Sequence, residues 1–160
     1  MSGDTPPRDP YAAAVWLRRR HSWLDELMTR AVGPDDGRDD GYEWVEQIIA
    51  GFNDLETLNQ RWDEYERRNR RPDGHDEAAI DRWYDAAPKC ETRAGRAIGP
   101  MSGGEVRMLR LLTTLGRDVN ENRCRQGWTI QDVDFDARGA AVMEDWIAVL
   151  RAQLPALQRS

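Results

Sequence analysis

Two cysteines, two histidines, two phenylalanines and one lysine are all that this 160-residue chain holds of those types, and each scarcity excludes something. Cys90 and Cys124 are too few for a disulfide framework, and reduced thiols in a cytoplasmic protein are expected, with one bond between them left open. No Cys-x-x-Cys spacing accompanies His21 and His75, so a structural zinc site is not expected. Two histidines also leave no Ser-His-Asp or Cys-His arrangement to assemble. No apolar run approaches the ~18 residues of a membrane-spanning helix. The opening MSGDTPPRDP has no apolar stretch of the signal-peptide kind. Lys89 stands against 22 arginines, an Arg-, Ala- and Asp-rich usage typical of high-GC genomes that weakens any reading of a single arginine.

What the chain has in quantity is helical periodicity. From Gly41 to Arg71, Val45, Ile48, Ile49, Phe52, Leu55, Leu58, Trp62 and Tyr65 recur every three or four residues, the spacing of one helix face. The phase holds across Gly51 and Asn53, so one long helix is expected, with Gly51 as the point of a kink. Polar Asn59 and Glu66 enter the seam, which predicts that it opens to water at its C-terminal end.

Around this element the other expected segments are helices and turns. Residues 1–8 read as a loose leader. Asp9-Pro10 supplies an N-cap and a first-turn proline for a helix to about Val32, stopped by Gly33-Pro34 and burying Leu17, Leu24, Leu27 and Met28. Arg18-Arg19-Arg20 within it reads as a solvated turn, and His21 as a packing or surface residue. The acidic turn 33–41 does not have the calcium-loop pattern, and its aspartates are expected to favour the start of the long helix. A shorter helix, about 76–87, packs Ala79, Ile80, Trp83 and Ala87 and is ended by Pro88. Residues 89–101 read as a loop with room for a helical turn, Glu105–Leu115 as a helix, Thr129–Asp132 as a capped short turn or helix, and about 136–153 as a last helix burying Met143, Trp146, Ile147 and Leu150. Seven tryptophans are expected chiefly as core anchors. The sum is an all-α, single-domain bundle of about five helices over residues 9–155, with a frayed tail at 156–160.

Three patterns bear on chemistry. Met101-Ser102-Gly103-Gly104-Glu105 resembles the signature loop of ATP-binding-cassette ATPases over five residues. The chain has no G-x-x-x-x-G-K-[ST] loop to cradle phosphates and is too short for that domain, so the family is excluded and an S-x-x-E capping box remains. Glu43-x-x-Glu46 and Asp63-x-x-Glu66 are similar to the magnesium-binding carboxylates of helical nucleotide pyrophosphatases. On one helix, however, the two pairs stand about 25 Å apart. A helix-turn-helix in the last third would present Asp134, Asp136, Glu144 and Asp145 to phosphates that repel them.

Charge is distributed unevenly. Residues 1–88 carry 12 basic and 20 acidic groups, residues 89–125 carry 8 and 4, and residues 126–160 carry 3 and 5. The basic middle segment contains the glycine turn. Arg93, Arg96, Ser102, Gly103, Gly104, Arg107 and Arg110 are therefore the expected partner-binding surface, made of helix-start donors and guanidiniums suited to carboxylates or phosphates. The functional expectation is a non-enzymatic binding or regulatory protein, with no cofactor, no metal and no membrane, acting on a protein partner or a second copy of itself. Nucleic-acid association through 89–125 is the first alternative and a metal-dependent nucleotide pyrophosphatase the second.

Overall fold

The computed structural model describes residues 5–114 and 137–157, in which every regular element is a helix. In order these are α1 (Pro10–Arg20), α2 (Ser22–Val32), α3 (Gly41–Arg68), α4 (Glu77–Ala86), α5 (Arg93–Ile98), α6 (Gly103–Thr113) and α7 (Ala137–Leu157). The expectations for Thr129–Asp132, Cys124, Leu115 and residues 158–160 lie outside the described residues.

The expected long helix is present and continuous as α3, and it is the centre of the bundle. Trp44, Val45, Ile48, Ile49 and Phe52 are buried, and they meet Leu17 of α1, Leu24, Leu27 and Met28 of α2, Leu109 and Leu112 of α6, and Val142, Trp146 and Val149 of α7 in one core. Beyond Phe52 the stripe emerges: Leu55, Leu58, Trp62 and Tyr65 are only half-buried. There Trp62, Tyr65, Trp83 and Tyr84 form a satellite cluster of ring contacts that holds α4 to the projecting end of α3. Two hydrogen bonds fix it, Tyr65 O–H to the Trp83 carbonyl (2.6 Å) and Trp83 Nε1–H to the Asn69 carbonyl (2.8 Å). Of the apolar residues expected from α4, Trp83 and Ala87 are buried, whereas Ala79 and Ile80 are half-buried.

Three expectations are corrected. The segment 9–32 is two helices, because His21 is extended (φ −127°, ψ 109°) between α1 and α2. Leu17 and Leu24 keep a seven-residue spacing on the same core, so the apolar pattern carries no trace of the elbow. Arg18 explains it physically. Its Nε–H donates to Asp25 Oδ1 (2.8 Å), and its Nη2–H groups donate to Thr29 Oγ1 (3.1 Å) and the Gly33 carbonyl (2.6 Å). In a straight helix Gly33 would stand about 22 Å further along the axis, far beyond the reach of an arginine side chain.

The arginine triplet is accordingly not a solvated turn. Arg18 is 1% exposed and lies over the Trp44 ring at 4.4 Å. Arg19 bonds Asp35 (3.0 Å) and Asp39 (3.1 Å) of the acidic turn, and Arg20 bonds Asp145 of α7 (2.9 Å). Asp35 and Asp39 of that turn thus serve Arg19 and Asp36 faces Arg38, while Asp40 makes no side-chain cap for α3.

The helical turn allowed for within residues 89–101 is present as α5, Arg93–Ile98. Its Ala94, Gly95 and Ile98 are buried, and its backbone approaches α3 so closely that a Cβ at Gly51 would lie 2.6 Å from the Ala94 Cβ. The third correction is α7, which buries Val142, Trp146 and Val149, while Ile147 and Leu150 of the expected face are exposed.

Candidate functional site

The residues of the expected basic surface lie on α5, on α6 and in the turn between them. Asp54 on α3 anchors the start of α5. The carboxylate accepts from the Thr92 N–H (2.9 Å), the Thr92 hydroxyl (2.7 Å) and the Glu91 N–H (3.3 Å). Burial pushes the Asp54 carboxyl up, but the three donors together outweigh it and hold the group below its ordinary value. Thr92 in turn caps α5 by accepting from the Gly95 N–H (2.9 Å). A Cβ at Gly95 would meet Asp54 Oδ2 at 2.5 Å, so glycine there is required by the carboxylate that orients the helix. Beside this anchor, burial first and then the Asp54 charge push the Cys90 thiol up.

Arg93 and Arg96 leave α5 exposed to solvent. Arg93 donates to the Thr29 carbonyl (3.1 Å) and the Arg30 carbonyl (3.4 Å), among the last acceptors of α2. Arg96 donates to the carbonyls of Glu91 (3.0 Å) and Cys90 (3.3 Å). Nearby Glu91 faces Arg61 at 3.6 Å.

The capping box at the start of α6 is present. Ser102 Oγ accepts from the Glu105 N–H (3.3 Å) and Glu105 Oε1 accepts from the Ser102 N–H (3.0 Å). Glu105 Oε2 also pairs with Arg30 of α2 (2.5 Å). The Ser102 N–H holds the Glu105 carboxyl below its ordinary range against the opposing effect of burial, and Arg30 adds to the lowering. The helix start therefore already carries a carboxylate of its own chain. Gly103 is exposed and Gly104 half-buried. The Arg107 guanidinium lies back over Gly103, 3.7 Å from where a Cβ would be. Arg110 sits over the Phe52 ring at 5.2 Å.

The seven expected site residues are thus divided between two adjacent helices and their turn. Among the described residues, none of Arg93, Arg96, Arg107 and Arg110 pairs with a carboxylate. Arg30 is the member that sequence reasoning missed. Its tie to Glu105 spans 75 residues, and no local pattern marks it.

The carboxylate pairs Glu43/Glu46 and Asp63/Glu66 lie on the unbroken α3. Among the described residues no three His, Cys, Asp or Glu side chains gather closely enough to hold a metal ion. None of the described helices is long and apolar enough to cross a membrane. Compared with known proteins, the chain matches no family model, no curated protein and no solved structure.

Proposed function

We propose that this chain is a non-enzymatic binding protein, a helical regulatory module or assembly subunit whose α5–α6 face receives an acidic protein partner. One observation carries the reading: Arg93 and Arg96 are exposed and donate to backbone carbonyls. A carbonyl orients a guanidinium without cancelling its charge, so both arginines keep a full positive charge on a fixed helix. A carboxylate presented to such a preoriented fork gains charge-assisted, bidentate contacts. Arg107 and Arg110 on α6 extend the same sign of charge to the neighbouring helix.

The test uses Arg96→Glu with Arg107→Glu, because Arg93 also holds the end of α2 and Arg110 also covers Phe52. Affinity capture from the native host is compared for wild type and the double variant at matched thermal stability. The expected result is a protein partner retained by wild type, released by salt and lost with the two reversals. Undiminished capture by the double variant counts against the surface. Capture abolished by nuclease treatment transfers the same arginines to the nucleic-acid reading, since phosphate oxygens suit the guanidinium fork equally.

A further inference from the structure

Helix α7 is apolar on more sides than the bundle covers. Between Ala137 and Ala152 its only charged residues are Arg138, Glu144, Asp145 and Arg151. Val142, Trp146 and Val149 form its buried stripe, while Ile147 and Leu150 stand 45% and 44% exposed. Ala140 and Ala141 are open to solvent beside them. Ile147 and Leu150 belong neither to the core nor to the half-buried residues packed against it. A helix that is apolar nearly all round is ordinarily buried all round.

The charges on the outward side are arranged as a self-complementary pattern. Ala140, Glu144, Ile147 and Arg151 follow one another at steps of four, three and four residues, a seam on the side opposite Val142 and Val149. Glu144 and Arg151 flank Ile147 one turn to either side, about 10 Å apart along the axis. Among the described residues neither pairs with an opposite charge. Asp145, the adjacent carboxylate, is taken up by Arg20 and His21 of the bundle. The fold has thus matched the α7 carboxylate that faces it and left the outward one unmatched.

A row of acid, apolar residue and base is its own complement when reversed, which is what a two-fold symmetric contact requires. A parallel copy would oppose Glu144 to Glu144 and Arg151 to Arg151, and like charges penalise that arrangement. An antiparallel copy brings each Glu144 to the partner's Arg151, twice by symmetry. We propose that the protein self-associates through α7, two copies packing antiparallel about a two-fold axis beside Ile147. Removal of Ile147 and Leu150 from water supplies the affinity, and the two Glu144–Arg151 pairs set the orientation. This face shares no residue with the α5–α6 surface, so either reading can fail without the other.

The test is sedimentation equilibrium of the full chain from about 5 to 500 μM, a range that covers ordinary specific self-association. A reversible monomer–dimer equilibrium is expected for wild type. Glu144→Arg and Arg151→Glu each place like charges at both pairing positions and should weaken dimerisation by about tenfold or more. Mixed in equal amounts, these two variants restore opposite charges at both positions, and a heterodimer of wild-type strength is expected. Because each single variant contributes one half of that heterodimer, its appearance also shows that both are folded. Ile147→Asp, at an exposed position, should abolish association with the melting temperature of the monomer kept. A wild type that stays monomeric over the whole range overturns the proposal, and a lowered melting temperature in Ile147→Asp would then assign the face to another segment of the same chain. Single reversals that dimerise like wild type, or a mixture no more associated than its components, overturn it as well.

Discussion

Gly51 and Ala94 are in such close apposition that α3 and α5 cross with almost no side chain between them: a Cβ on Gly51 would stand 2.6 Å from the Ala94 Cβ and 3.0 Å from the Gly95 nitrogen. The residue that on propensity alone weakens α3 is therefore the one that admits α5. Two opposing effects meet at this position, and their sizes decide the outcome.

Gly51→Ala should gain about 1 kcal/mol of helix propensity and lose more to the clash with the α5 backbone. Overpacking of this kind costs typically about 1–3 kcal/mol, and here the obstructing atoms include backbone. A net destabilisation by urea denaturation is expected, with wider opening of α5 in hydrogen exchange. A stabilised variant would show that α3 and α5 are not in this contact.

Arg18 and Arg19 are neighbours of the same type with different duties. Arg18 is buried, bonded to Asp25, Thr29 and Gly33, and its Nη1 has no hydrogen-bond partner among the described residues. Arg18→Ala should cost about 3–5 kcal/mol, since it strands the buried Gly33 carbonyl and empties the space that a large buried side chain fills beside Trp44. Arg19, with a side chain 40% exposed, should cost under about 1 kcal/mol when truncated, as surface pairs do. Equal losses for the two variants would refute the distinction.

Phe52 and Trp62 sit on the same stripe of α3 but in different surroundings. Phe52 is 9% exposed in the main core, so Phe52→Ala should cost about 3–5 kcal/mol. Trp62 is half-buried in the satellite cluster. Trp62→Ala should cost clearly less globally and act chiefly by releasing α4, seen as faster amide exchange at residues 77–86 with the core protected. Loss of protection throughout the bundle in Trp62→Ala would place Trp62 in the global core instead.

The Glu105 carboxyl is held below its ordinary value by the Ser102 N–H and Arg30. A carboxyl depressed in the folded state releases its proton more readily there than in the unfolded chain. Its stabilising contribution is therefore present above the unfolded value of about 4.3 and is lost as pH falls through the lower folded value. Glu105→Gln preserves the capping geometry and removes the charge. The stability gap between wild type and Glu105→Gln should be widest above about pH 5 and close by about pH 2, measured by denaturant midpoints across that range. A gap that does not change with pH would mean that the charge contributes nothing.

Local patterns carried a defined part of this structure. The period of Val45, Ile48, Ile49 and Phe52, the Asp9-Pro10 start, and the Ser102–Glu105 box are each settled within one or two helical turns, where backbone propensity, capping and face periodicity act. They were readable from residue order, and so were the continuity of α3 and the opening of its seam past Phe52. For the basic surface, residue order supplied the identity and spacing of its arginines, but not which acceptors they meet.

The remainder was decided by contacts between residues far apart in the chain. The elbow at His21 follows from Arg18 reaching Gly33 and from Asp145 meeting both Arg20 and His21. Helix α5 is too short to be stable by itself and is held by Asp54 and by the space that Gly51 leaves. Burial of one arginine in a row of three depends on which face the neighbouring helix covers. Sequence determined where helices start, which stripe of each is apolar, and where charge accumulates, because those depend on neighbours within a few residues. Tertiary structure alone decided which helix divides, whether the loop of residues 89–101 holds a helix and which charges remain uncancelled, because each depends on the shape and charge of a partner 15 to 125 residues away.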